Sequence, residues 1–163
     1  MFELMPDSYL STDKKIITSA KLLIYDSYQN KFLVIKRGLN HQHNPGLWEL
    51  PGGKIIFPEL INVGLSREVM EETDLLINLE DTEILSIKSR KITDKNSSYN
   101  GFIFELMAGF INQSINLEKV QPSDEHIDKK LITIDYNCLK DQDLTLDSKL
   151  IINYFLDNII ETS

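Results

Sequence analysis

Residues 53–75 read GKIIFPELINVGLSREVMEETDL, and the second half of this stretch has the pattern of a helix with an acidic edge. Pro58 is well suited to a helix start, and the spacing of apolar residues predicts a helix from about Leu60 to Glu72, with Gly64 as its one weak point. Each helical residue advances by about 100°, so with Glu68 at zero, Glu71 falls near about −60° and Glu72 near about +40°. Leu65 and Val69 fall near about +60° and +100°, so the apolar stripe borders the acidic arc instead of opposing it. Like charges so close on a helix repel by a few tenths of a kcal/mol per pair, roughly, and at the edge of a buried interface an unpaired charge costs more than in water. Two readings satisfy this pattern: a solvated face paired with Arg67, or a set of hard oxygen ligands for a cation. Carboxylates suit Mg2+ or Mn2+, and no set of histidines and cysteines favours zinc.

Upstream of the stretch, the short apolar run LWELPGGKI (47–55) is punctuated by Pro51, Gly52 and Gly53, which mark the end of a strand. Before it, AKLLIYD (20–26) and KFLVIKR (31–37) flank the polar break SYQN (27–30) and read as a hairpin; the loop GLNHQHNPG (38–46) follows. Downstream, ILSIKSRKI (84–92) and NGFIFELMAGFI (100–111) read as strands with DKNSSYN (94–100) between them, and KLITID (130–135) as a further one. The chain from about Asp147 to Ile160 carries Leu150, Ile151, Tyr154, Phe155 and Ile159 at the spacing of a core-facing helical stripe. Strands interrupted by two helices argue for a mixed sheet packed between helices. Residues 1–15, polar and with Pro6, read as a tail or edge segment, and 16–163 as one domain.

The 163 residues, 42% hydrophobic, suffice for one substantial core. Against 17 basic residues stand 25 acidic ones, a net charge of −8 that disfavours long nucleic acid and anionic membrane surfaces as partners. A small phosphate-bearing substrate stays compatible, because a divalent cation bridges acidic groups and an anionic ligand. The one cysteine, Cys138, allows no intrachain disulfide, and no stretch approaches the roughly 20 apolar residues of a membrane span, so a soluble cytoplasmic protein is expected.

Counted from Gly53, five residues lead to Glu59, seven more to Arg67, then Glu68, Val69, Met70, Glu71, Glu72, Thr73, Asp74 and Leu75. This pattern resembles the Nudix box, whose signature is Gly, five residues, Glu, seven residues, Arg-Glu, an apolar residue, any residue, Glu-Glu, any residue, Gly and an apolar residue. Six identities at fixed spacing arise by chance in a chain of this length with probability on the order of 10⁻⁵. The departure is Asp74 in place of the second Gly. There a left-handed backbone is often needed at the helix end; Asp tolerates it better than most residues but sits poorly beside the negative helix end.

The resemblance implies an α+β fold, a Nudix-type α/β/α sandwich with a mixed sheet between helices, and Mg2+ as cofactor with Mn2+ able to substitute. Glu68, Glu71 and Glu72 would be the helix carboxylates, Glu72 a direct metal ligand and the other two ligands or proton acceptors. Arg67 would orient them by pairing with Glu59, and Gly52 would offer its carbonyl to the metal. Lys54 would sit near the substrate phosphates. The stretch QPSDEH (121–126) resembles the family loop that holds a further metal-binding carboxylate, with Glu125 first and Asp124 second, and His126 is expected as an exposed loop histidine. His41 and His43 would reach a base or phosphate, while Trp48 is expected in the core.

The implied activity is hydrolysis of a phosphoanhydride in a nucleoside diphosphate linked to another moiety, a nucleoside triphosphate being the first substrate. ADP-ribose, dinucleoside polyphosphates and nucleotide sugars are the alternatives, and a non-catalytic nucleotide-binding protein of the same fold is the competing class. The loops GLNHQHNPG and DKNSSYN carry no legible code for base or sugar. The resemblance also suggests a homodimer.

Overall fold

The computed structural model describes residues 14–92, 102–112, 120–121, 124, 126–133, 137, 140 and 143–160. Among them, strand β1 (Lys14–Asp26) runs parallel to β5 (Phe102–Asn112) along most of its length, from Lys14↔Phe102 to Ile24↔Asn112. β5 in turn pairs antiparallel with β4 (Thr82–Ile92), with a register shift between Ile84 and Ser86. The expected hairpin forms only at its tip: β2 (Lys31–Arg37) meets β1 at Tyr25↔Phe32 and Asp26↔Lys31. Its turn is closed by Asp26, whose Oδ1 accepts from the amides of Tyr28 and Gln29 at 2.9 and 3.1 Å, and by Asn30 at φ 50°. This is the role of a short carboxylate at a turn. Beyond the tip, β2 diverges from β1 and pairs with β6 (His126–Thr133) on one side and with β3 (Trp48–Glu49) on the other. The sheet is therefore mixed.

Both faces are covered, which is why β1 and β2 carry near-continuous apolar runs. Ala20, Leu22, Ile24 and Leu33 pack with Leu65 and Val69 of helix α1 (Ile61–Thr73). Leu23, Phe32 and Val34, on the alternate positions, pack with Ile151, Ile152 and Phe155 of helix α2 (Leu146–Phe155). The last stretch, expected as one helix to Ile160, instead changes to a π-helical turn over Leu156–Ile160. Leu150 stays 36% exposed, and the buried stripe runs through Ile151, Ile152, Phe155 and Leu156.

Helix α1 begins one residue later than expected and ends one later. Pro58 lies in the turn before it, in a cis peptide with Phe57, and Leu60 is the cap. At the other end Asp74 takes the left-handed conformation, φ 57° and ψ 23°, and its N–H donates to the Met70 carbonyl at 2.9 Å. Asp74 thus fills the backbone role expected of glycine.

Candidate active site

The turn between β3 and α1 is fixed by β1. Leu22 N–H donates to Pro51 O, Ala20 N–H to Gly53 O and Ile55 N–H to Thr18 O, at 2.8 to 2.9 Å, so residues 51–55 lie along β1 like a short extra strand. Gly52 has φ +114°, and a Cβ there would meet the Ala20 carbonyl, with Leu65 Cδ1 at 3.0 Å. Only glycine lets the chain pass between β1 and α1 at this point. A Cβ on Gly53 would collide with the Glu68 carboxylate, so the second glycine leaves space for that side chain.

Over this turn, Arg67 gathers the expected carboxylates. Its Nε and Nη2 donate to Glu59 at 3.1 and 2.7 Å, its Nη1 to Glu68 Oε1 at 2.8 Å and to Glu71 Oε2 at 3.1 Å. Nη2 also donates to the Lys54 carbonyl at 3.2 Å, tying the helix to the turn. Hydrogen bonds from Arg67 and from the Ile56 amide hold the Glu59 carboxyl down at about 2. The helix trio is not uniform: Glu68 and Glu72 are largely covered, with side chains 18% and 12% exposed, whereas Glu71 is 59% exposed. The Lys54 side chain is exposed.

A second cluster lies under the turn, assembled from residues that sequence reasoning did not connect. Glu49 of β3 is buried, and three side chains converge on it: Lys21 Nζ at 2.6 Å, Arg37 Nε, and His126 Nε2 at 3.3 Å. Lys21 Nζ also donates to the Gly52 carbonyl. Burial alone would raise the Glu49 carboxyl; the Lys21 ammonium, with hydrogen bonds from His126 and Arg37, overcomes it and holds the group well below the usual carboxylate range. Glu72 has the opposite outcome. Its Oε2 accepts from Gly52 N–H at 2.7 Å and its Oε1 lies 3.7 Å from His126 Nε2, yet burial, reinforced by the charge on Glu49, pushes its carboxyl up to about 7.

His126 corrects an expectation: it is the first residue of β6, buried at 7% exposure against Glu49 and Glu72, and not an exposed loop residue. Pairing of Arg37 with His126 across β2 and β6 brings both side chains to Glu49. A signal for this cluster was present, because Lys21 interrupts an apolar run and Glu49 sits within LWELPGG, and a charge in a buried strand must find partners. Trp48 is only partly buried, packed against the α2-side core with Lys36 Nζ 5.4 Å from its ring centre.

Charge at the site suits a divalent cation. Among the described residues the carboxylates of Glu49, Glu59, Glu68, Glu71 and Glu72 outnumber the cationic side chains paired with them, Lys21, Arg37 and Arg67. Glu49, Glu72 and His126 each offer a ligand atom within 4.8 Å of one another. Glu49 is already matched by Lys21 and Arg37, and carboxylate oxygens are hard ligands of the kind Mg2+ and Mn2+ take.

Beside this cluster the β2–β3 loop borders an open cavity of about 480 Å³, lined by Gly38, Leu39, Asn40, His41, Gln42, His43, Asp124 and Ile127. His43 thus faces a pocket of ligand-binding size. Asp124 lines it and is exposed; Glu125 lies outside the described residues, as does Cys138.

Comparison with known proteins agrees with the geometry. The NUDIX domain family matches residues 17–148. Among solved structures, the MutT protein of Methanosarcina mazei Go1 superposes with a TM-score of 0.70 at 26% identity, over 89% of this chain and 96% of that one. A bifunctional NMN adenylyltransferase/ADP ribose pyrophosphatase of Francisella tularensis superposes at 0.66 and 22% identity, over 93% of this chain and 43% of its own. An Ap4A hydrolase of C. elegans does so at 0.58 and 20%, over 85% and 94%. No curated protein matches significantly in sequence. With the box spanning the turn and helix α1, Arg67 clasping Glu59, and a match over most of its length, the chain belongs to the NUDIX family of hydrolases that act on phosphoanhydrides.

Proposed function

We propose that this chain hydrolyses the phosphoanhydride of a nucleoside diphosphate linked to a further group, with Mg2+ as the physiological ion, and that a nucleoside triphosphate is the first substrate to test. The observation that carries this reading is the clustering of five carboxylates around one turn, which among the described residues are paired with only three cationic side chains. Glu72, Glu68 and Glu71 would hold the ion, with Glu125 as a further ligand and the Gly52 carbonyl available once Lys21 releases it. Bound there, a divalent ion supplies neutralisation of the phosphate oxygens and a lowered pKa for water.

The chain's own residues then have distinct tasks. Arg67, fixed on Glu59, aims Glu68 toward Gly53, where the missing Cβ leaves room for it. Glu68 or Glu71 accepts the proton of the attacking water, a contribution of about 10² to 10⁴-fold for a well-placed base. Lys54, exposed at its side chain, meets the phosphates from the turn, and His43 reaches the remainder of the substrate from the cavity. The relatives' names, an ADP ribose pyrophosphatase and an Ap4A hydrolase among them, keep ADP-ribose and dinucleoside polyphosphates as second candidates.

The test is a hydrolysis panel of ribo- and deoxyribonucleoside triphosphates including oxidised ones, ADP-ribose, dinucleoside polyphosphates and nucleotide sugars, each with Mg2+ and with Mn2+, the products identified by phosphorus NMR. Metal-dependent release of two phosphate-bearing fragments, or of a nucleotide and pyrophosphate, is expected from at least one compound. Absence of release from every compound with both ions would leave a binding protein of the same fold.

A further inference from the structure

Glu49 has three partners, and each of them also reaches another part of the site. Lys21 reaches the Gly52 carbonyl, His126 lies 3.7 Å from Glu72, and Arg37 reaches the cavity loop. The last link is the most detailed. While Nε of Arg37 donates to Glu49, Nη1 donates to the His43 carbonyl at 2.9 Å and to His41 Nδ1 at 3.2 Å. The His43 amide also donates to His41 Nδ1, at 3.2 Å. His41 Nδ1 also lies 3.0 Å from the His43 carbonyl, so the ring is held inside the loop by contacts to both backbone groups of His43 and to Arg37. Arg37 N–H to Leu47 O at 3.0 Å closes the base of the same loop. The loop is therefore held in one shape by a side chain anchored on a buried carboxylate of the acidic cluster.

The wall chemistry points to a class of ligand. Asp124 contributes a carboxylate that only accepts, Asn40 and Gln42 contribute amides that both donate and accept, and His41 contributes an imidazole. Accepting groups need donors on the ligand, which sugar hydroxyls and base N–H groups have and phosphate oxygens near neutral pH lack. Leu39 and Ile127 add apolar area. We infer that the cavity walled by residues 38–43, Asp124 and Ile127 seats the uncharged nucleoside end of the substrate, and that Arg37 is the positioning residue that holds this cavity in register with the acidic cluster. This inference rests on the hydrolase reading above for the identity of the bound molecule as a substrate.

The chain has three histidines, His41, His43 and His126, so a histidine ring carbon–proton NMR spectrum reports the cavity through two signals and the acidic cluster through the third. Without metal, a panel of phosphate-free ribo- and deoxyribonucleosides at millimolar concentration should shift the His41 and His43 signals for at least one member and leave His126 in place. Mn2+ alone should broaden His126 first. Arg37→Lys keeps a cation on Glu49 but loses the fork to the loop. In this variant nucleoside binding should weaken about tenfold, the worth of one charge-assisted hydrogen bond, while broadening by Mn2+ is unchanged. With the substrate found in the panel above, KM should rise by a similar factor with kcat within about twofold of wild type, as for a contact made equally in ground and transition states. Nucleosides that move no cavity signal, or an Arg37→Lys protein with unchanged nucleoside affinity, would overturn the inference. Failure of Mn2+ to broaden His126 would count against the metal reading instead. If Arg37→Lys unfolds, His43→Ala, which leaves Arg37 and Glu49 in place, is expected to weaken nucleoside binding, and unchanged affinity there overturns the cavity assignment.

Discussion

Replacing Glu72 with glutamine should make the metal-free protein more stable at alkaline pH while removing its ability to bind metal. Burial raises the Glu72 carboxyl from 4.5 to about 7. A carboxyl whose folded value lies above its unfolded value keeps its proton in the native state while the unfolded chain ionises, so native stability falls as pH rises between the two values and is constant above the higher one. A rise of that size corresponds to about 3 kcal/mol of penalty at pH 8 and under about 1 kcal/mol at pH 5. Glu49, held below the usual range, changes its contribution at lower pH and adds little slope in this window. The substituted amide carries no charge and keeps an oxygen able to accept from Gly52 N–H, the bond now 2.7 Å long. The expected gain is about 1 to 3 kcal/mol at pH 8 and under about 1 kcal/mol at pH 5, since the amide brings its own desolvation cost. Urea unfolding in the presence of a chelator at the two pH values measures it, and Mn2+ titration of the same proteins should show loss of affinity by about 10²-fold or more. A Glu72→Gln protein no more stable than wild type at pH 8, or more stable by the same amount at both pH values, would refute the reasoning.

Arg67→Lys places one ammonium where a fork reaches three carboxylates, so Mn2+ affinity should drop about 10- to 100-fold, read by calorimetric titration, while secondary structure measured by circular dichroism is retained. Gly52→Ala forces a Cβ against the Ala20 carbonyl at a φ of +114°, and thermal unfolding should show a loss of about 3 kcal/mol or no folded protein at all. Asp74→Gly relieves a left-handed residue at the end of α1 and moves a negative charge away from the negative helix end; a gain of about 1 kcal/mol in urea unfolding is expected, with activity preserved.

What was legible in the sequence was local. Three carboxylates within five residues of one helix and an apolar stripe beside them are fixed by the helical repeat, while the pairing of Arg67 with Glu59, which does form, was implied by the resemblance to the Nudix box. The sandwich of a mixed sheet between two helices followed from the order of strand and helix patterns. Asp74 as a left-handed residue followed from its standing at the glycine position of the box that the stretch resembles. Missing from the linear pattern was the long parallel pairing of β1 with β5, since nothing in either strand specifies a partner so distant along the chain. The hairpin reading for that reason overstated the contact between β1 and β2.

The sequence by itself therefore determined the acidic helix and the turn that faces it, because helical periodicity and glycine conformation act over a few residues. Tertiary structure alone decided that Lys21, Arg37, Glu49 and His126, drawn from four strands, meet beneath that turn. The physical reason is that burial, which leaves one carboxyl ionised on two cations and raises another to about 7, depends on which distant strands pair.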